Sequence, residues 1–456
     1  MGRPSAREAA TFRNGYKLCE MERRYFGTDG VRGVAGEPPL TPQFVLKLGQ
    51  AAGAYFKNVH KKPVVLLGKD TRQSCDMLEA ALAAGLMSQG VQVEHLGVLP
   101  TPGVAYLTKA LGATAGVMIS ASHNPYQDNG IKFFSAAGDK LPDEVESQIE
   151  GLLEREFKTD GIGTVSDFRE AERMYLDFLS SKGQSLEGLK VALDTANGAT
   201  FRLAHRLFQR LGAEVFVMFN TPDGRNINKG CGSTHPEFLR QQVVEMGFDL
   251  GVAFDGDGDR AILVDRYGRE FHGDHVLYLN ALVRREPGVV GTLMSNMGLE
   301  VKLREAGIRF YRTAVGDRYV YEKLKASALN LGGEQSGHVL FLDHAPTGDG
   351  MLTAILTLGA MRESGRDLSE WYEALPMYPQ LLKNVRVSDK QKVMQQPELH
   401  QAIQEAEQKL SGQGRVNVRP SGTEPLVRVM VEGPAELIEP VASELVTLVE
   451  RLGSAL

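Results

Sequence analysis

Three aspartates alternate with glycine in the run F-D-G-D-G-D-R at 254–260. In an extended loop, side chains two residues apart point the same way. Asp255, Asp257 and Asp259 therefore converge, and their mutual repulsion calls for a cation. An all-oxygen ligand set suits a hard ion, Mg²⁺ or Ca²⁺. An EF-hand also opens D-x-D-x-D, but it requires glycine at its sixth position and glutamate at its twelfth. Arg260 and Arg266 stand there instead. A solvated acidic turn is the plain alternative. The apolar runs at 250–254 and 261–264 on either side count against it, since α/β folds place ligands at the carboxyl ends of strands.

A second cluster is I-S-A-S-H-N-P-Y-Q-D-N-G-I-K-F-F at 119–134. Asn-Pro and Asn-Gly mark turns, so Ser122 lies on a loop between two strands. The hydrolase elbow G-x-S-x-G is absent, because Ala121 and His123 flank the serine. No G-x-x-x-x-G-K-[ST] phosphate loop occurs in the chain. A serine beside three carboxylates suggests phosphoryl transfer instead, in which positioning and charge compensation do most of the catalysis. A third run, R-P-S-G-T-E-P at 419–425, offers Arg419, two hydroxyls and the N–H groups of Gly422 and Thr423. That set suits a phosphate, although Pro, Ser and Gly also make plain hairpin turns. Three further loops read equally well as ordinary turns. In G-G-E-Q-S-G-H at 332–338, Glu334 and Ser336 suit sugar hydroxyls. In Y-F-G-T-D-G-V-R-G at 25–33, Arg32 suits a phosphate. T-A-V-G-D-R at 313–318 follows a strand.

The elements that must position these loops follow one logic three times. Strand, helix and strand are expected at 63–68, 76–89 and 91–96, again at 189–194, 202–211 and 213–219, and again at 289–294, 299–306 and 308–311. Gly90, Gly212 and Gly307 follow the three helices and supply the left-handed turn that ends them. Each is a βαβ unit. The tail differs: strands at 384–387, 415–418 and 426–431 alternate with helices at 397–410 and 435–452, a small α+β domain. The expected division is a leader at 1–20, α/β domains at 21–178, 179–272 and 273–378, and an α+β domain at 379–456.

Composition bounds the partners. The 456 residues are 42% hydrophobic and 24% charged, with a net charge of -6. That is a globular chain with no basic footprint for nucleic acid. No apolar run approaches the ~18 residues of a membrane span. Cys19, Cys75 and Cys231 form neither a disulfide framework nor a zinc pattern, which favours a reducing, cytoplasmic setting. The first twenty residues lack the apolar core of a signal peptide and are expected to be a disordered extension or the product of an upstream start codon.

Taken together, F-G-T-D-G-V-R-G, S-A-S-H-N-P, D-G-D-G-D-R, G-E-Q-S-G-H and R-P-S-G-T-E-P, in this order over about 24–452, resemble the α-D-phosphohexomutase superfamily. The resemblance implies three similar α/β domains of mixed sheet and a C-terminal α+β domain around a central cleft. It implies an intramolecular phosphotransferase in which phospho-Ser122 converts a sugar 6-phosphate into the 1-phosphate through a 1,6-bisphosphate. One Mg²⁺ would lie on Asp255, Asp257, Asp259 and the Ser122 phosphate. Arg32 and Arg260 would offset charge, Lys132 and His338 would act as general acid and base, and His123 would shape the loop. Gly316, Asp317, Arg318, Glu334, Ser336, Arg419, Ser421, Gly422, Thr423 and Arg428 would hold the sugar phosphate. Within the superfamily, the S-A-S-H form and Gln335 point to glucosamine phosphates, with glucosamine 1,6-bisphosphate as intermediate and activator. The product would feed UDP-N-acetylglucosamine and the cell wall. Glucose and mannose phosphates are the alternative substrates, and a homodimer is compatible.

Overall fold

The computed structural model describes residues 24–455, except 28, 411, 413 and 422–424. The leader at 1–20, and Gly422 and Thr423 of the phosphate loop, lie outside the described residues. The first sheet contains β1 (Val31–Val34), β2 (Val64–Lys69), β3 (Gln92–Val98), β4 (Ala115–Ile119), β5 (Asp128–Phe134) and β6 (Val165–Asp167), in the order β1-β5-β4-β2-β3-β6. β2 is parallel to both β3 and β4, whereas β4 and β5 are antiparallel. The expected first βαβ unit is β2, the helix Cys75–Met87 and β3. Gly90 adopts φ 80° beyond that helix, which a side chain would strain.

The second sheet holds β7 (Lys190–Asp194), β8 (Glu214–Met218), β9 (Leu250–Phe254), β10 (Ala261–Asp265) and β11 (Glu270–Phe271), in the order β11-β10-β9-β7-β8. The third holds β12 (Gly288–Thr292), β13 (Arg309–Thr313), β14 (Leu331–Gly333) and β15 (Val339–Phe341), in the order β13-β12-β14-β15. β7 pairs with β8, and β12 with β13, in parallel across helices Leu203–Arg210 and Met297–Glu305. These are the second and third expected units. The last sheet, β16 (Gln380–Arg386), β17 (Arg415–Pro420) and β18 (Leu426–Glu432), is antiparallel in the order β16-β18-β17 and packs on the helix Ala435–Ala455. Three mixed α/β layers followed by an α+β unit match the architecture expected from the sequence.

One apolar core runs through the first three sheets, from Leu66 and Tyr175 by way of Leu193 and Phe254 to Val276, Phe341 and Met351. The α+β unit has a core of its own, including Val385, Leu399, Val429 and Leu445. Its attachment to the third layer includes a set of polar links. Asn296 grips Tyr378 twice, donating to its carbonyl at 2.9 Å and accepting from its N–H at 3.0 Å. Buried Glu432 accepts from Met297 N at 2.7 Å and from Arg415, while Arg415 donates to the Leu293 and Ser295 carbonyls at 2.6 and 2.7 Å.

His275, on the helix Gly273–Val283, is 2% exposed. It lies between the rings of Phe271 and Tyr372, and neither ring nitrogen has a hydrogen-bond partner. Burial, then the neighbouring His272 and Arg269, hold its pKa well below the ordinary value. The unfolded chain therefore binds this proton first as pH falls. The penalty is absent above about pH 6.5 and grows below it by up to about 1.4 kcal/mol per pH unit. In thermal melts at pH 7 and pH 5, the advantage of His275→Phe over the parent is expected to widen on acidification. A pH-independent difference would show that the ring keeps its proton equilibrium on folding.

Candidate active site

Ser122 begins the loop that joins β4 to β5. Its φ is 52°, a left-handed conformation that costs a residue with a Cβ and persists only where its surroundings impose it. Those surroundings are visible. The Ser122 carbonyl accepts from Arg72 Nη2 at 2.8 Å and Asn228 Nδ2 at 2.9 Å, and its N–H donates to Ser120 Oγ at 2.9 Å. Arg72 also donates to the carbonyls of Asn124, Pro125 and Asp128. Buried Asp70 holds Arg72 Nε at 2.8 Å and Ser120 Oγ at 2.6 Å. Asp70 and Arg72 follow directly on β2, so the strand end sets the shape of the serine loop.

The aspartate run is the turn of the β9–β10 hairpin. Its glycines are required by contact. A Cβ at Gly256 would come within 2.6 Å of the Ser122 carbonyl oxygen, and one at Gly258 within 2.6 Å of Thr200. Three layers meet on this loop. Ser122 Oγ donates to Asp255 Oδ2 at 2.7 Å. From the first layer, Thr101 also donates its N–H to the Asp257 carbonyl at 2.9 Å and its hydroxyl to Asp257 Oδ2 at 2.6 Å. From the third, Gly350 N donates to the Gly258 carbonyl at 2.9 Å, at the start of a helix capped by Asp349. Tyr175 donates to Asp349 Oδ2 at 2.6 Å.

The residues present fit a metal ion. Ligand atoms of Asp255, Asp257 and Asp259 lie within 4.8 Å of one another. Asp257 Oδ1 and Asp259 Oδ1 are buried without a hydrogen-bond partner. Burial and repulsion from Asp259 and Asp257 hold the Asp255 carboxyl well above the usual carboxylate range. A hard divalent cation on these oxygens removes that cost.

Cations surround the cluster. Lys132 is buried, 3.2 Å from Asp257 Oδ2 and 3.0 Å from Asp29 Oδ2. Burial opposes its charge, but Asp257 and Asp29 outweigh burial and raise its pKa above the lysine value. It stands here as a buried cation facing two carboxylates. His338 lies 3.6 Å from Asp259. Burial again opposes the charge, and Asp259 with Asp317 pushes the ring up to about 9. His123 is the opposite case. Burial, Arg260 and Arg32 hold it below its ordinary value, and its Nδ1 lies 3.4 Å from Ser122 Oγ.

A cavity of about 440 Å³ opens over these groups. It is lined by Arg32, Ser122, His123, Asp259, Arg260, Gly316, Asp317, Glu334 and His338, together with Asp29 and other residues of the 25–30 loop. Four of the loops singled out in the sequence, and that at 313–318, therefore contribute to one space. Among the described residues, Ser336, Arg419, Ser421 and Arg428 do not line it. Arg419 sits on β17 directly opposite Arg428 on β18, so the two arginines share a register. The expected seven-residue hairpin loop is shorter, because β17 continues through Arg419 to Pro420. Arg318, expected among the sugar-phosphate ligands, does not line this cavity. Its guanidinium binds Asp143 of the first layer, and Glu322 at 2.8 Å, outside the cavity. It bridges two layers instead. The residues not singled out in the sequence are Asp70, Arg72, Thr101, Asn228 and Asp349. The run K-D-T-R at 69–72, at a strand's carboxyl end, was the signal for the first two.

The phosphoglucomutase/phosphomannomutase family models for alpha/beta/alpha domains I, II and III match residues 23–160, 173–268 and 272–378. The model of the C-terminal domain matches 382–448. A phosphoglucosamine mutase of Thermus thermophilus is 70% identical over 430 residues, covering 94% of this chain and 98% of that protein. Another, of Deinococcus radiodurans, is 58% identical over 440 residues, covering 95% and 99%. A phosphoglucomutase/phosphomannomutase family protein from Burkholderia thailandensis has a TM-score of 0.79 at 24% identity over 94% of this chain and 97% of its own. An Aspergillus fumigatus N-acetylphosphoglucosamine mutase, solved with GlcNAc-6P and magnesium, has a TM-score of 0.65 at 16% identity, covering 95% and 96%. These two solved structures share the fold.

Proposed function

Because the chain belongs to the phosphoglucomutase/phosphomannomutase family, we propose that it interconverts glucosamine 6-phosphate and glucosamine 1-phosphate. The amino sugar follows from relatives 70% and 58% identical to it. The observation that carries the chemistry is the Ser122 hydroxyl, 2.7 Å from the first of three converging carboxylates. In the phosphorylated enzyme, the Oγ–P bond breaks as a P–O bond forms to the sugar C1 oxygen, and the C1 hydroxyl gives up its proton. The 1,6-bisphosphate then turns over in the cleft. Its 6-phosphoryl group returns to Ser122 Oγ, and the C6 oxygen regains a proton. Asp255, Asp257 and Asp259 would hold a Mg²⁺ ion, which would offset charge on the transferring group.

The chain's own residues do the rest. Arg32, Arg260 and Lys132 surround the phosphoryl group with positive charge. His338, 3.6 Å from Asp259, and His123, 3.4 Å from Ser122 Oγ, are the groups placed for proton transfer. Glu334 holds sugar hydroxyls. Arg419, Arg428 and Ser421, with Gly422 and Thr423, hold the phosphate that is not reacting. The α+β unit must therefore move toward the cavity in each cycle, about the link at 376–379 that Asn296 grips. A cytoplasmic setting, where the product supplies UDP-N-acetylglucosamine, fits the three widely spaced cysteines.

The deciding experiment compares kcat/KM for glucosamine, glucose and mannose 6-phosphates, with Mg²⁺ and a trace of the matching bisphosphate. A clear preference for the glucosamine ester is expected, and a preference for either neutral sugar would overturn the reading. Chelation by EDTA is expected to lower turnover by at least about 1,000-fold, with recovery on adding Mg²⁺. Full activity in EDTA would remove the metal from the mechanism.

A further inference from the structure

The cavity contains four carboxylates, and two of them, Asp29 and Asp259, have cationic partners of their own. Asp29 pairs with Arg32 and with Lys132 at 3.0 Å. Asp259 belongs to the metal set and lies 3.9 Å from Arg260 and 3.6 Å from His338. Glu334 accepts the Gly316 N–H at 3.1 Å. Asp317 is different. Its side chain is 53% exposed, and one oxygen accepts the Arg318 N–H at 2.7 Å. Among the described residues, its one cationic side-chain neighbour within salt-bridge reach is His338, at 3.9 Å and shared with Asp259. The Arg318 guanidinium, next in sequence, is turned away to Asp143 and Glu322.

Asp317 thus shares one cation, His338, with Asp259 and leaves part of its negative charge facing the cavity. A phosphorylated glucose or mannose brings only negative charge and hydroxyls, so Asp317 would repel it. A 2-amino sugar brings one positive charge, the C2 ammonium. The position also fits. His338 lies between Asp317 and Asp259, which places Asp317 toward the metal end of the cavity. There the C1 oxygen must meet the transferable phosphoryl group, and C2 is the carbon next to C1. Gln335, the residue in the sequence that pointed to an amino sugar, does not line this cavity. Its backbone carbonyl accepts the Gly273 N–H.

We propose that Asp317 binds the substrate's C2 ammonium and so sets the preference for glucosamine over glucose phosphates. This rests on the reading of the substrate as glucosamine phosphate. A charge-assisted bond in a partly exposed cavity corresponds to about a 10- to 100-fold effect.

The test uses the full-length enzyme with Mg²⁺ and measures kcat/KM for glucosamine 6-phosphate and glucose 6-phosphate. The parent, Asp317→Asn and Asp317→Glu are compared, with thermal melts to verify folding. The ratio of the two constants is expected to fall about 10- to 100-fold in Asp317→Asn and to stay near the parent's in Asp317→Glu. An equal loss on both substrates would overturn the proposal, because Asp317 would then only shape the 313–318 loop. An unchanged ratio in Asp317→Asn would overturn it too. If the parent enzyme itself shows no preference for glucosamine phosphate, the functional reading fails, and the parent measurement alone reveals it.

Discussion

Ser122→Ala is expected to lower mutase turnover by at least about 10,000-fold while the chain stays folded, because the residue that carries the phosphoryl group is gone. The variant is a clean one for physical reasons. Alanine has the same Cβ as serine, so it meets the left-handed conformation at φ 52° with similar strain. The bonds that impose that conformation run to the backbone, from Arg72 and Asn228 to the Ser122 carbonyl and from the Ser122 N–H to Ser120. They survive the substitution. What disappears is the hydroxyl and its 2.7 Å bond to Asp255. A coupled assay for glucosamine 1-phosphate should read background, and incubation with labelled sugar 1,6-bisphosphate should leave the protein unlabelled. Turnover within tenfold of the parent would end the phosphoserine mechanism for this chain.

The second large effect is expected at a residue that touches no substrate. Arg72→Met should cost about 3–5 kcal/mol of stability, the range for breaking a buried ion pair, and should cut kcat by at least about 100-fold. The guanidinium sits with its side chain fully buried against Asp70 and is the common donor to four carbonyls of the serine loop. Removing it leaves Asp70 as an uncompensated buried charge and frees those carbonyls from their donor. The strained turn at Ser122 then relaxes, and the nucleophile moves off the line of transfer, where a displacement of about 1 Å costs roughly 100-fold. Arg72→Lys is expected to recover little, since one ammonium cannot reproduce a planar fork. Denaturation and single-turnover kinetics together are the check. A variant that loses stability but keeps kcat would show that the loop holds its shape without the clamp.

These two residues also show what the sequence makes legible. Ser122, Asp255, Asp257, Asp259, Glu334 and Arg32 lie in runs where glycine, proline and polar groups crowd between apolar strands, so their loops are visible as loops. The glycines after the helices mark the three βαβ units for the same reason, because local chemistry determines them. Arg72, Thr101 and Asn228 leave no such mark. Each works through a contact from another element, and Asn228 reaches Ser122 from the second layer. Arg318 makes a further contact that the sequence hides. Its motif resembled a ligand loop, but its partner, Asp143, is 175 positions away in the chain. The charge state of Lys132 was hidden as well. Its cationic state follows from burial between Asp29 and Asp257, and neither neighbour is local to it.

The inward setting of Ser122 has a consequence for how the enzyme is regulated. A protein kinase or phosphatase works on a segment it can draw, extended, into its own active site. Ser122 is 2% exposed, and its turn cannot straighten without losing the Arg72 and Asn228 bonds. In the mechanism proposed above, a phosphoryl group on Ser122 would be exchanged inside the cavity that the serine lines. On that mechanism a sugar bisphosphate entering the cavity would load the serine, and the supply of that metabolite would set the active fraction of the enzyme.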